Sequence, residues 1–158
     1  MVEIKGDLIK LARQGAFDVI AHGCNCFCRM KRGLAPQMAK AFGCDQYEGE
    51  EPYMAGDINK LGTISFEGVT PETMWKNPYP LIVVNAYTQY EWSTETKPLD
   101  YEALILCLRK MNKIFKGKHI GLPQIGCHLA GGDWEVVSKI IERELKDCKV
   151  TIVIYEKV

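Results

Sequence analysis

A glycine-rich stretch between a predicted strand and a predicted helix places the strongest constraint on how this chain can fold. Residues 119–122 are short and apolar, as in a buried strand, and residues 134–148 carry apolar side chains at helical spacing. The connection contains three glycines, Gly126, Gly131 and Gly132, and Asp133 stands at the expected N-cap. Glycines let backbone N–H groups turn toward an anion, and a helix start adds partial positive charge. The stretch therefore predicts either a phosphate site or a turn that binds nothing.

Predicted strands and helices alternate along most of the chain. The strands are expected at residues 2–5, 17–21, 61–67, 81–86, 119–122 and 149–155, and the helices at residues 8–11, 35–42, 101–115 and 134–148. Residues 68–80 contain three prolines and are expected to form an exposed excursion. This order predicts an α/β fold, a three-layer α/β/α sandwich around a mixed, largely parallel sheet of about six strands.

Length and charge narrow the function classes. With 158 residues and 47% apolar content, residues 1–158 are expected to form one domain. The formal charge of zero shows no excess of positive charge of the kind that binds duplex nucleic acid or an anionic membrane. No apolar run reaches the ~20 residues of a membrane-spanning helix. The odd number of cysteines, seven, indicates thiols in a reducing compartment. We expect a cytoplasmic monomer with neither nucleic acid nor membrane as partner.

Two loops are expected at the same edge of the sheet. One follows Ala21 and the other follows Leu122, and both leave predicted strands at their carboxyl ends. Ligands of open α/β sheets bind beyond these ends, where loops converge. The convergence favours the phosphate interpretation of the glycine-rich stretch.

His22 and Asn25 follow the second predicted strand and are candidates for chemistry. A histidine titrates near neutrality and can act as general acid or base, but a strand-end histidine can equally be held by backbone bonds. Asn25 can hydrogen-bond a ligand, orient a water, or bond its own backbone in a turn. His128, inside the glycine-rich stretch, is predicted either to line the cleft or to be an exposed bystander. Asp133 can cap the last helix or activate water, and capping is favoured.

Cysteines at alternate positions near His22 invite a zinc interpretation. They are Cys24, Cys26 and Cys28. Structural zinc sites draw on a second, distant pair of ligands, which the sequence does not offer. Alternate cysteines at a strand end are commonly small apolar side chains, so we expect no metal and no other cofactor. Cys127 is a candidate nucleophile.

Four segments in this order resemble the pattern of the macrodomain, the ADP-ribose-binding module. They are Gly6-Asp7-Leu8 after the first strand, His22-Gly23-Cys24-Asn25 at the end of the second, residues 28–35 as a first phosphate loop, and residues 122–135 as a second phosphate loop with its helix. The second phosphate loop is the most specific of them. Element order fits over nearly the whole chain, so the resemblance implies that ADP-ribose or a derivative is the ligand.

The resemblance also implies a set of ligand contacts. Asp7 is expected to hold the adenine amino group or to cap the following helix, and Tyr155 to stack on adenine or simply to be exposed. The aromatic segment 87–92 is expected to wall the distal ribose pocket or to meet a partner. The remaining expected contacts are Leu8, Gly33, Leu34, Thr88, Gln89, Gly126, Cys127, His128, Leu129, Ala130 and Gly131.

Within the macrodomains, the sequence is most similar to the branch of ADP-ribose-1″-phosphate phosphatases and terminal ADP-ribose glutamate hydrolases. The hydrolases use a lysine and an aspartate where this chain has Gln89 and Ala130, which disfavours their covalent route. The resemblance therefore implies a phosphatase acting on ADP-ribose-1″-phosphate, with Asn25, His22 and Asp133 as catalytic candidates. The alternatives are a non-catalytic reader of ADP-ribose or ADP-ribosylated protein, and a mono-ADP-ribosyl-protein hydrolase.

Overall fold

The structure is a computed structural model that describes residues 1–30, 32–44, 56–70, 80–93 and 95–157. It contains one six-stranded sheet. The strands are β1 (Val2–Gly6), β2 (Val19–Asn25), β3 (Ile64–Val69), β4 (Leu81–Gln89), β5 (His119–Leu122) and β6 (Lys149–Tyr155). Their spatial order is β1-β6-β5-β2-β4-β3. All neighbours are parallel except β3 and β4, so the expected mixed, largely parallel sheet is confirmed.

Three of the four α-helices begin at an aspartate that caps them. The helices are α1 (Leu8–Arg13), α2 (Ala35–Phe42), α3 (Tyr101–Ile114) and α4 (Trp134–Glu144), with a 3-10 turn at Ile58–Lys60. Asp7, Asp100 and Asp133 each accept a hydrogen bond from a backbone N–H in the first turn of their helix. The start of α2 has no side-chain cap and instead carries a proline in its first turn.

Two hydrophobic cores lie on opposite faces of the sheet. Val19 and Ala21 of β2 belong to the core under α3 and α4, whereas Ile20 belongs to the core under α1 and α2. Successive strand residues point to opposite faces, so this alternation places helices on both sides of β2. The predicted three-layer α/β/α sandwich is confirmed.

The structure corrects the predicted ends of several elements. β2 runs to Asn25 and β4 to Gln89, so His22 lies within a strand and not in the following loop. These polar residues stay extended because the ladder between the two strands continues, for example at His22↔Asn85. α4 ends at Glu144, before the expected residue 148. β3 starts later than expected and continues to Val69, into the predicted excursion, whose residues 71–79 lie outside the described residues.

No helix within the described ranges is long and apolar enough to cross a membrane. The longest helix, α3, has 14 residues and packs against α4.

Ion pairs join α3 to α4. Arg109 of α3 donates to the carboxylate of Glu144 at 2.9 Å, and Arg143 donates to the same carboxylate at 3.0 Å. Burial acts to raise the pKa of Glu144, but the hydrogen bonds from Arg109 and Arg143 outweigh it and lower this pKa below its ordinary value.

We predict that Glu144→Gln lowers the free energy of unfolding at pH 7 by about 1 kcal/mol, a modest value because both guanidinium groups are solvent-exposed. A lowered folded-state pKa stabilises the protein above the unfolded pKa, and this contribution is lost as the pH falls through the folded value. Urea titrations should therefore show a larger difference at pH 7 than at pH 3. Glu142→Gln, at an exposed position of the same helix, is the control. A difference of equal size at both pH values would contradict the ion-pair explanation.

Candidate ligand-binding site

Five parallel strands end at one edge of the sheet, as expected for the ligand-binding edge of an α/β protein. A cavity of about 270 Å³ opens at this edge. Its walls come from the end of β2, the segment leading into α2, the end of β4 and the loop after β5. The two loops predicted to converge therefore do meet.

The cavity brings together nine of the residues that the sequence analysis selected. They are His22, Asn25, Gly33, Leu34, Gln89, Gly126, His128, Leu129 and Ala130. Trp92, from the aromatic segment after β4, also lines it, in agreement with the expected wall. Residues far apart in sequence thus share one concave surface.

Asp7 and Tyr155 lie apart from this cavity and line a shallow depression of about 350 Å³. The pairing Gly6↔Tyr155 between β1 and β6 brings them near each other. The Asp7 carboxylate accepts from the Lys10 N–H at 3.0 Å, so its capping role is observed. Tyr155 is 65% exposed, which leaves its ring accessible, whereas Leu8 is buried in the core.

Four other predicted contacts do not line the cavity. Thr88 is fully buried, and Cys127 packs against the core beneath α3 and α4. Gly131 lies under Lys97. Asp133 is exposed and accepts from the Glu135 N–H at 2.9 Å, so it caps α4 as favoured from sequence.

His22 is held inside the fold at the base of the cavity. Its side chain is only 2% exposed, and Nε2 lies 2.8 Å from Oδ1 of Asn85. The thiols of Cys24 and Cys44 lie 3.5 Å and 3.7 Å from the same nitrogen. His22 therefore lines the cavity, as a residue with a chemical role would. It also has structural partners, which are side chains and not the backbone groups expected from the sequence.

Asn25 fastens the loop that follows β2. Its Oδ1 accepts from the N–H groups of Phe27 and Arg29 at 3.0 Å and 3.1 Å, and its Nδ2 donates to the Arg29 carbonyl at 3.0 Å. The predicted turn role is therefore observed. The amide has a second N–H, which can donate to a group in the cavity.

The glycines after β5 have a packing role that the sequence analysis did not foresee. Gly126 and Gly131 have φ values of 74° and 75°, which favour glycine. A Cβ at Gly126 would lie 2.7 Å from Leu99, and one at Gly131 would lie 2.6 Å from Lys97. The segment before α3 therefore lies directly on this loop, with the Leu99 N–H donating to the Ala130 carbonyl at 3.1 Å.

Positive charge concentrates around the cavity. Among the described residues its lining includes two arginines and two histidines and no carboxylate. Arg29 places its guanidinium carbon 4.2 Å from the ring centroid of Trp92, and Phe27 packs edge-on to the same ring. Arg29 and Arg32 were not among the predicted site residues, although both lie in residues 28–35, which resemble a first phosphate loop.

The start of α2 adds to this positive environment. Leu34 and Ala35 line the cavity, and the N-cap residue, Leu34, has no polar side chain to cap the helix. An uncapped helix N-terminus attracts anions. The helix start expected to serve this purpose was that of α4, but the Asp133 carboxylate occupies it. The partial positive charge of a helix N-terminus therefore comes from α2, after the first loop, and not from α4, after the second.

The cysteines behave as protonated, packed thiols. Burial, with a smaller contribution from the nearby Asp133 charge, raises the pKa of Cys127 to about 11, which disfavours a nucleophilic role at neutral pH. Burial likewise raises the pKa of Cys26 to about 11. No group of three potential metal ligands is found in the part of the chain that the structure describes.

Comparison with known proteins gives one relative in sequence and several in structure. No protein-family model matches the chain. An uncharacterised 17.5 kDa protein encoded in the tk-vs intergenic region of Enterobacteria phage T4 is 30% identical over 161 residues, which cover 97% of this chain and 95% of the relative. A protein of unknown function from Bacteroides thetaiotaomicron is 25% identical with a TM-score of 0.71, over 97% of this chain and 96% of that one.

Two further solved structures share the fold at lower sequence identity. The macrodomain of Thermus aquaticus DarG is 18% identical with a TM-score of 0.64, over 99% of this chain and 97% of that one. Thermosipho africanus DarTG, solved in complex with ADP-ribose, is 16% identical with a TM-score of 0.68, over 99% of this chain and 42% of that one. At these identities the likeness is one of fold.

The packing of Leu99 on the glycine-rich loop can be measured by comparing two glycines. Gly117 and Gly126 have similar φ values, 80° and 74°, but only Gly126 has a neighbour where a Cβ would lie. We predict that Gly117→Ala costs about 1–2 kcal/mol of unfolding free energy, the cost of a left-handed alanine. Gly126→Ala should cost about 1–3 kcal/mol more, because Leu99 must move.

Urea denaturation of both variants measures this difference. The double variant Gly126→Ala/Leu99→Ala isolates the steric part, because removing the Leu99 side chain clears the space. Equal losses in Gly117→Ala and Gly126→Ala would show that the close approach of Leu99 has no energetic consequence.

Proposed function

Since the chain belongs to the same family as the phage T4 17.5 kDa protein and has the macrodomain fold, we propose that it binds ADP-ribose and removes phosphate from ADP-ribose-1″-phosphate. The observation that carries the proposal is the cavity at the carboxyl edge of the sheet. Its lining combines Arg29, Arg32 and the uncapped start of α2 with no carboxylate among the described residues. Such a surface suits a pyrophosphate and a phosphate monoester.

A structural neighbour supports the choice of ligand. Thermosipho africanus DarTG was solved with ADP-ribose. The match to its fold covers 99% of the present chain. In the present chain, the loop after β5 and the segment before α2 face each other across the cavity, so both can donate backbone N–H groups to a diphosphate. Asp7 and Tyr155, near each other at the neighbouring depression, remain the proposed adenine contacts.

The proposed reaction is attack of water on the phosphorus of the 1″-phosphate. The water proton passes to an imidazole, the bond between phosphorus and the ribose oxygen breaks, and that oxygen takes the proton back from the imidazolium, giving ADP-ribose and inorganic phosphate. His22 is the proposed general base, because it lies at the bottom of the cavity in a fixed position. Arg29 and Arg32 supply positive charge where the phosphoryl oxygens gain negative charge.

The residues at the cavity disfavour the lysine–aspartate route of the related glutamate hydrolases. Gln89 and Ala130 stand where that route needs a lysine and an aspartate, and both line the cavity. Neither side chain can form a covalent intermediate or act as a base. We therefore propose phosphate hydrolysis, for which an imidazole base is present, in preference to removal of ADP-ribose from protein.

Binding can be tested with a charge change at Leu129. This residue lines the cavity and is 46% exposed, so a longer polar side chain can be accommodated there. We predict that Leu129→Glu weakens ADP-ribose binding at least about tenfold relative to Leu129→Gln, because the carboxylate repels the diphosphate. Calorimetric titrations of the two variants, which are matched in shape, measure the effect of charge alone. Equal affinities would place the diphosphate elsewhere.

Catalysis can be tested with the three histidines. We predict that His22→Ala lowers the rate of phosphate release by about 10²–10⁴-fold while ADP-ribose binding stays within several-fold. His119→Ala is the control, because His119 begins β5 at the opposite end from the cavity. A full rate in His22→Ala and a loss in His128→Ala would move the base to His128. Binding of ADP-ribose by the unmodified protein without phosphate release would identify a non-catalytic reader.

A further inference from the structure

A line of polar side chains runs from His22 across three strands. His22 and Asn85 are direct partners in the parallel ladder of β2 and β4, and Ser65 pairs with Asn85 in the antiparallel ladder of β3 and β4. The distances are 2.8 Å from His22 Nε2 to Asn85 Oδ1, 3.1 Å from Asn85 Nδ2 to Ser65 Oγ and 3.0 Å from Ser65 Oγ to Tyr87 Oη. Register partners project to the same face, so the pairing places these groups in sequence.

The bonds of Asn85 define which ring nitrogen of His22 carries the proton. The amide donates through Nδ2 to Ser65 Oγ, which leaves Oδ1 as the acceptor that faces the ring. An acceptor at 2.8 Å requires a proton on Nε2. The Cys24 thiol, 4.0 Å from the same oxygen, is a second donor that suits an oxygen at this position. Nδ1 is then the basic nitrogen of the neutral ring.

We infer that Asn85 is a positioning residue, which holds His22 in the Nε2-protonated form and so presents Nδ1 as the proton acceptor in the reaction. The inference rests on the proposed phosphatase function for its catalytic meaning. Asn85 is itself only 5% exposed and does not line the cavity, so it acts through His22 and not on the ligand.

The choice of an amide over a carboxylate at this position has a chemical consequence. Asn85 is neutral, so it fixes the orientation of the ring while stabilising its protonated form less than a carboxylate would. Among the described residues, the thiols of Cys24 on β2 and Cys44 after α2 lie near the His22 ring, and Tyr87 lies at the far end of the line.

The first test is the protonation state of the ring in the intact protein, which requires no activity. Long-range proton–nitrogen NMR spectra distinguish the two neutral forms of a histidine. The chain has three histidines, so the His22 signals are those that remain in both His119→Ala and His128→Ala. We expect His22 to be protonated at Nε2. Protonation at Nδ1 would overturn the inference.

The second test replaces the amide with a carboxylate. In Asn85→Asp, an anion beside Nε2 should raise the pKa of His22 by about one pH unit or more. Gln14→Glu, which adds the same charge at an exposed position after α1, should leave the His22 titration unchanged. An equal response in the two variants would overturn the inference.

Phosphate release provides the third measurement. The neutral ring is the base, so activity is lost as the pH falls through the pKa of His22, and Asn85→Asp should move this acidic limb to higher pH with KM nearly unchanged. A changed KM with an unmoved pH profile would indicate a structural role and overturn the inference. If neither the unmodified protein nor Asn85→Asp releases phosphate, the proposed function fails. The NMR measurements then still decide the role of Asn85.

Discussion

The pairing of β2 with β4 is the interaction on which the rest of this structure depends. The ladder runs from Val19↔Ile82 to Asn25↔Gln89 and continues beyond the apolar part of both strands. It therefore carries His22 and Asn25 into a buried environment, where an unpaired polar group is costly. His22 is satisfied by Asn85, and Asn25 by the backbone of the loop that it fastens. The base of the cavity is a direct result of this pairing.

The opposite wall of the cavity depends on close packing of backbone against side chains. The loop after β5 lies against Leu99 and Lys97, and the glycines of this loop leave room for both. Lys97 itself has a φ of 47°, a conformation that non-glycine residues adopt only when their surroundings enforce it. The glycines of this loop thus join it to the segment before α3, because a side chain at Gly126 or Gly131 would meet Leu99 or Lys97.

The distribution of charge in the fold is uneven, although the chain has no net charge. Aspartates near the carboxyl edge are used as helix caps, at Asp7, Asp100 and Asp133. Those at α1 and α4 offset the positive N-termini of their helices, whereas the start of α2 keeps its partial charge facing the cavity. With Arg29 and Arg32 at the same cavity, the local field favours anions in a protein whose overall charge does not.

The sequence by itself determined the features that depend on neighbouring residues. The alternating pattern predicted the layers and the largely parallel sheet, and the bounds of α2, β5 and β6 agree with the structure because local periodicity and turn signals mark them. Asp133 was favoured as a cap for the same local reason. The convergence of the loops after β2 and β5 followed from the parallel arrangement alone.

Only the tertiary structure decided the features that depend on contacts between distant residues. β2 and β4 extend to polar residues because each supplies the other with hydrogen-bond partners, which no local pattern records. Leu99 meets Gly126, and Asn85 meets His22, through the order of the strands. The sequence could therefore name most residues of the cavity, but not the partners that fix their geometry, since those partners are set by the packing of the whole sheet.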